Sequence, residues 1–177
     1  MNLLGVILFW TTLFAASTDY LVITEKKITV NGNTSLGGFN CKYNVPQQND
    51  TLFIANMTAN PYCFAIPVES FACGNFLLNR DFQYTLKAEE YPEITVKVLS
   101  LRRQQSSLIG NIELSLVGKT KLLKDVSFIK KVNGEKTSIV ASFVFYASEF
   151  QLTPPRRLGG MIKADDAMDV AVELTLK

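Results

Sequence analysis

The side chains that could do chemistry are three cysteines, some adjacent carboxylates and two short strings carrying lysine. Gly118-Lys119-Thr120 spells the end of a phosphate-binding loop. The full motif needs a glycine at position 113, which is Glu113, and a following helix whose N-terminus cradles phosphate. Ser127-Phe128-Ile129-Lys130 spells the SxxK of serine acyl-enzymes, a chemistry that sets serine and lysine one helical turn apart. Here the string lies in a strand-like alternation. Glu89-Glu90 and Asp165-Asp166 are neighbours in sequence, and neighbouring residues do not face one another on either a helix or a strand. A hydrolase would need two carboxylates across a cleft.

Histidine is absent from all 177 residues, which removes Ser-His-Asp and Cys-His nucleophiles and HExxH metal sites. Cys41, Cys63 and Cys73 contain no CxxC, so a metal site has no support; no metal and no cofactor is expected. The 18 basic residues nearly balance 16 acidic ones, so a nucleic-acid partner is not expected. An enzyme is therefore not expected, and the weight falls on binding.

Residues 3–16 form an apolar run interrupted only by Thr11 and Thr12, with no charged side chain before Asp19. The run is too short to span a bilayer and ends in Ala15-Ala16-Ser17, the small-residue pattern of a signal peptide. We expect residues 1–17 to be removed on export and residues 18–177 to form a single periplasmic or secreted domain, with no stable membrane span. In that oxidising space three cysteines suggest one disulfide and one free thiol.

The elements that must position any site are mostly strands. Apolar residues alternate with polar ones in eight segments, centred near residues 29, 42, 66, 96, 114, 127, 142 and 173. Asn133-Gly134 marks a hairpin tip, and Pro67 marks an edge strand or a bulge. Residues 51–57 suggest a further short strand. Residues 79–90 break the alternation, with Asp81 near the start, Phe82 and Leu86 at an i, i+4 spacing and Pro92 beyond the end, and are expected to form a short helix. Residues 155–161 are expected to be an irregular loop. The expected fold is all-β with one short helix, an eight-stranded antiparallel barrel or a two-sheet sandwich.

The order of several blocks is more specific. Ile66-Pro67-Val68-Glu69-Ser70-Phe71-Ala72-Cys73-Gly74-Asn75 precedes Asn79-Arg80-Asp81-Phe82 and Tyr91-Pro92-Glu93-Ile94. Gly110 to Thr120 and the pair of segments from Phe145 and from Asp165 follow. This series resembles the YceI-like family of exported, lipocalin-like proteins, and Gly38-Phe39-Asn40-Cys41 with Cys73-Gly74-Asn75 resembles its cysteine-bearing Bacteroidetes-type branch. It departs from many members in lacking a histidine near the first strand.

The resemblance implies a lipocalin-like eight-stranded antiparallel barrel taking a long apolar chain, a polyisoprenoid or a fatty amide, into its lumen. Alternation supplies a wall for it: Ile94, Val96, Val98, Ile112, Leu114, Leu116, Phe143, Phe145, Val170 and Val172 share one face, and Phe82 and Leu86 on the helix would close one end. Small barrels are commonly filled by their own side chains, and for any one of these residues a filled core is the commoner state. The expected disulfide is Cys41–Cys73. Strand parity counts against it unless Pro67 or Gly74 introduces an irregularity, and Cys63–Cys73 is the competitor. The alternative function is an exported structural or adhesive module binding a protein partner through residues 51–61 or the lysine-rich hairpin.

Overall fold

The structure is a computed structural model that describes residues 19–45, 49–153 and 163–177. The expected signal peptide and the expected loop at 155–161 lie outside those residues. The strands are β1 (Tyr20–Thr34), β2 (Gly37–Val45), β3 (Asp50–Phe53), β4 (Tyr62–Pro67), β5 (Glu93–Gln104), β6 (Ser107–Leu116), β7 (Lys119–Asn133), β8 (Lys136–Tyr146) and β9 (Ala164–Leu176). All eight alternating segments contain strands, although the one read from Phe64 to Glu69 leaves the sheet after Pro67, and β3 covers part of the further short one. A single antiparallel sheet runs β2-β1-β9-β8-β7-β6-β5-β4 and curls into a barrel, with β3 pairing the start of β1.

Register explains the common inner face. Val172 lies between Ile28 of β1 and Ala141 of β8, and Val170 between Val30 and Phe143. Val96 stands opposite both Phe64 and Leu114, and Val98 opposite Ile112. Side chains alternate with period two, so an inward residue on one strand forces its paired neighbours inward as well. The lower end is sealed by a buried cluster including Ile23, Leu52, Leu101, Phe128, Ile139 and Leu174.

The edge strands β2 and β4 do not form a ladder with each other. Between them the chain passes through a 3₁₀ turn, Val68–Ser70, then Ala72 makes a single antiparallel bridge with Lys42. Each N–H of that pair donates to the other's carbonyl at 2.9 Å. Cys41 and Cys73 are the next pair along, directly opposite each other and outside the hydrogen-bonded ring, where an antiparallel pair comes closest. They form the disulfide. The 3₁₀ turn resets strand parity after Pro67, which removes the objection raised by simple alternation. Pro67 ends β4 on the edge, where its missing N–H costs nothing. Cys63 is free and exposed.

The helix needs a correction. It is α1, Phe76–Thr85, rather than 79–90. Gly74 turns the chain at φ +94, and the Asn75 side chain accepts the Leu78 N–H at 2.9 Å, so Asn75 is the cap and Asp81 is mid-helix. Lys87 at φ +49 ends it by entering the left-handed region.

Candidate functional site

The curled sheet encloses a cavity of about 480 Å³. Every residue expected on the inner wall lies on it: Ile94, Val96 and Val98 from β5, Ile112, Leu114 and Leu116 from β6, Phe143 and Phe145 from β8, Val170 and Val172 from β9, and Phe82 and Leu86 at the helix. The filled-core expectation holds for Val98, Ile112, Leu116, Phe145 and Leu86, which are buried in core clusters, but not for the other expected wall residues. Ile94, Val96, Leu114, Phe143, Val170 and Val172 face inward, yet each is only half-buried, because the opposite walls do not meet. Barrel radius follows from strand number and stagger, and side chains of this size leave the centre empty.

The wall is apolar over nearly its whole extent. Its polar side chains, Thr34, Asn75, Asp81 and Thr85, belong to the β1–β2 turn and to α1 or its cap, so they gather at one end. That end is the mouth. Thr85 Oγ1 donates to the Asp81 carbonyl at 2.7 Å and Thr34 Oγ1 to the Gly37 carbonyl at 2.9 Å, so both hydroxyls serve local backbone. No lysine or arginine lines the wall among the described residues.

Helix α1 sits over this mouth without burying any of its own residues fully. An aromatic chain ties it to the barrel: Phe82 lies 5.0 Å from Phe71, which lies 5.6 Å from Tyr43 on β2. Sequence reasoning missed Phe71 and the wall residues Ile28, Val30, Phe39, Phe64 and Ile66. The first strands carry the same period-two signal, so their inner faces were readable.

One polar group points inward at the seam. Lys26 shares parity with Ile28 and Val30 and is buried, with its ammonium 2.5 Å from the Asp50 carboxylate and 4.6 Å from the Phe64 ring centre. Burial pushes the Asp50 carboxyl up, but hydrogen bonds from Lys26 and Tyr62 outweigh it and hold the group below its ordinary value. Burial and the Asp50 charge push the Tyr62 hydroxyl far up. This cluster ties the β1–β3 pair to β4, with which neither β1 nor β3 forms a ladder, and it is absent from the cavity wall. The other carboxylates of note are on the outside: Lys97 meets Glu113 at 2.8 Å, and Lys121 pairs with Glu149. Asp166 accepts from the Ser148 N–H at 2.7 Å. Gly118 and Val117 make the tight β6–β7 turn with positive φ, and Ser127 and Lys130 lie within β7, so neither lysine-bearing string has the context its chemistry requires.

Solved structures share this architecture. A polyisoprenoid-binding domain from Saccharophagus degradans, implicated in plant cell wall breakdown, superposes with a TM-score of 0.61 at 13% identity, covering 90% of this chain and 98% of its own. Burkholderia cenocepacia BcnA matches with a TM-score of 0.56 at 13% identity, over 86% of this chain and 96% of its own. A Campylobacter jejuni YceI protein matches with a TM-score of 0.52 at 15% identity, over 67% of this chain and 72% of its own. The chain has the YceI fold. No protein-family model and no curated protein matches the sequence. Within the YceI fold, the hollow apolar lumen under α1 is a feature of this chain to which a ligand could be fitted.

Proposed function

We propose that this chain is an exported lipid-binding protein with no chemistry of its own, which holds one long apolar chain, of polyisoprenoid or fatty-amide type, in its lumen as carrier, store or sensor. The observation that carries this reading is a cavity of about 480 Å³ whose described lining is apolar, with its polar side chains at the mouth. That volume lies within the range of small-molecule sites. A chain entering it loses contact with water at about 0.8 kcal/mol per methylene, so some ten methylenes supply about 8 kcal/mol before the cost of immobilisation. Among the described residues no cation lines the wall, which disfavours a ligand whose buried end is anionic. The likeness to a polyisoprenoid-binding domain supports the same class of ligand.

The test is native mass spectrometry of protein exported with residues 1–17 encoded, followed by titration with a series of fatty amides. The expected result is loss of the leader, one bound lipid mass and affinity rising about fourfold per added methylene until the lumen is full. A protein that emerges empty and binds no member of the series would overturn the reading.

A further inference from the structure

We propose that the mouth of the lumen is a membrane-docking surface, and that the protein lays this end on a lipid bilayer to exchange its ligand. The proposal rests on the lumen reading above and names the partner with which the lumen communicates. Helix α1 is apolar on two opposite faces. Leu78 and Phe82, an i, i+4 pair, line the cavity with Asp81 and Thr85 beside them. Phe76, Arg80 and Tyr84, at i, i+4 and i+8, form the outer stripe, and Phe76 is 78% and Tyr84 75% exposed. A helix packed on one side normally turns a polar face to water. Here the outward face carries two aromatic rings.

Leu77 and Leu36 make the link. Both are exposed, Leu36 at 76%, and both also line the cavity. Leu77 is on α1 and Leu36 is in the β1–β2 turn, so they approach the mouth from different elements. Leu36 and Leu77 thus carry the apolar wall from the lumen over its lip to the outside, past the polar Thr34, Asn75, Asp81 and Thr85 at the same opening. An alkyl chain crossing this lip stays out of water only if the lip is itself seated in lipid.

The chemistry of the rim fits a bilayer better than a protein. Aromatic rings flanked by a long cation are the composition of the membrane interface, where rings sit at headgroup depth and the cation reaches phosphate. The Arg80 guanidinium lies 5.8 Å from the Phe76 ring. Lys163 adds a cation beside the turn, its N–H donating to Ser35 Oγ at 3.1 Å. A stable protein interface takes roughly 20–30 residues a side. The protruding rim of Leu36, Phe76, Leu77 and Tyr84 is far smaller, which argues against a second copy as occupant.

The only tryptophan, Trp10, falls in residues 1–17, so exported protein lacking them is free of it. A Phe76→Trp variant therefore gives a clean reporter. The probe is vesicles of phosphatidylcholine with a minority of phosphatidylglycerol, with and without brominated acyl chains. For Phe76→Trp the expected result is a blue shift on vesicle addition and quenching by the brominated lipid; by co-sedimentation with the vesicles, which needs no tryptophan, partitioning should fall about tenfold or more from the wild type to the Phe76→Ser/Tyr84→Ser double variant. Ile129→Ser, exposed on the outside of β7, should leave partitioning unchanged. Uptake of a dissolved fluorescent fatty amide is measured separately, without vesicles, and should be the same in the wild type and the double variant. Docking is overturned if the wild type does not partition, if the double variant partitions like the wild type, or if the blue shift occurs without vesicles and grows with protein concentration, which would identify a second copy as the occupant. Failure of the wild type to take up the dissolved amide would refute the lumen reading instead.

Discussion

Removing the Cys41–Cys73 bond should cost stability while changing only one residue of the lumen wall, Cys41. The bond closes a loop across a sequence separation of 32. Freed from it, the unfolded chain gains entropy worth about 4 kcal/mol at 25 °C for a loop of that length. The seam has no ladder to compensate: among the described residues, β2 meets the returning chain at the Lys42–Ala72 bridge and through the buried cluster of Tyr43, Phe71 and their neighbours. Against a total stability of about 5–15 kcal/mol, the loss is large. The perturbation is the double variant Cys41→Ala/Cys73→Ala, which avoids leaving a thiol to pair with Cys63. Urea unfolding should give a free energy lower by about 4 kcal/mol and a melting temperature lower by about 8–16 °C. The m-value should rise, since the unfolded chain becomes less compact. Cys63→Ser, at an exposed position, should stay within about 0.5 kcal/mol of wild type. A loss below about 1 kcal/mol in the double variant would refute the reasoning and mean that non-covalent contacts hold the seam unaided.

Ala141 is buried on the cavity wall between Phe128 and Val172, so Ala141→Phe should block the lumen, weakening fatty-amide binding by about tenfold or more at a cost of about 1–3 kcal/mol in stability. Val144→Phe, on the exposed side of the same strand, should leave amide titration unchanged. Asp50→Asn strands the buried Lys26 ammonium and should cost about 2–4 kcal/mol by urea unfolding, most of it regained in Lys26→Met/Asp50→Asn. The Asp50 carboxyl titrates below its ordinary value in the folded protein, so its contribution is complete above the unfolded value and is lost as pH falls through the folded one. Thermal melts between about pH 6 and pH 2 should therefore show a shallower acid limb in Asp50→Asn than in the wild type.

The strands were legible because alternation is a local property. Ile94, Val96 and Val98 are spaced to share a face whatever lies opposite, and each is on the wall. The helix was legible in its existence but not its start, since Asp81 and Asn75 are both acceptable caps by residue type. The left-handed Gly74 just before Asn75 decides between them. The disulfide depended on an irregularity that alternation could only allow for. The 3₁₀ turn at Val68–Ser70 supplies it by shifting Cys73 onto the face of Cys41.

The sequence by itself determined which side chains face together and that no histidine-based chemistry is available, because both depend only on residue identity and period. Three things were decided by the tertiary structure alone. Whether Phe143 and Leu114 meet across the barrel or stand apart depends on the curvature of the whole sheet, which no segment encodes. The Lys26–Asp50 pair exists because β3 folds back on the start of β1, far from β4 in pairing order. The exposed rim of Leu36 and Leu77 arises where a turn and a helix separated by about forty residues reach the same opening. Each is a distance between elements, and distances of that kind are set by packing and closure rather than by any local pattern.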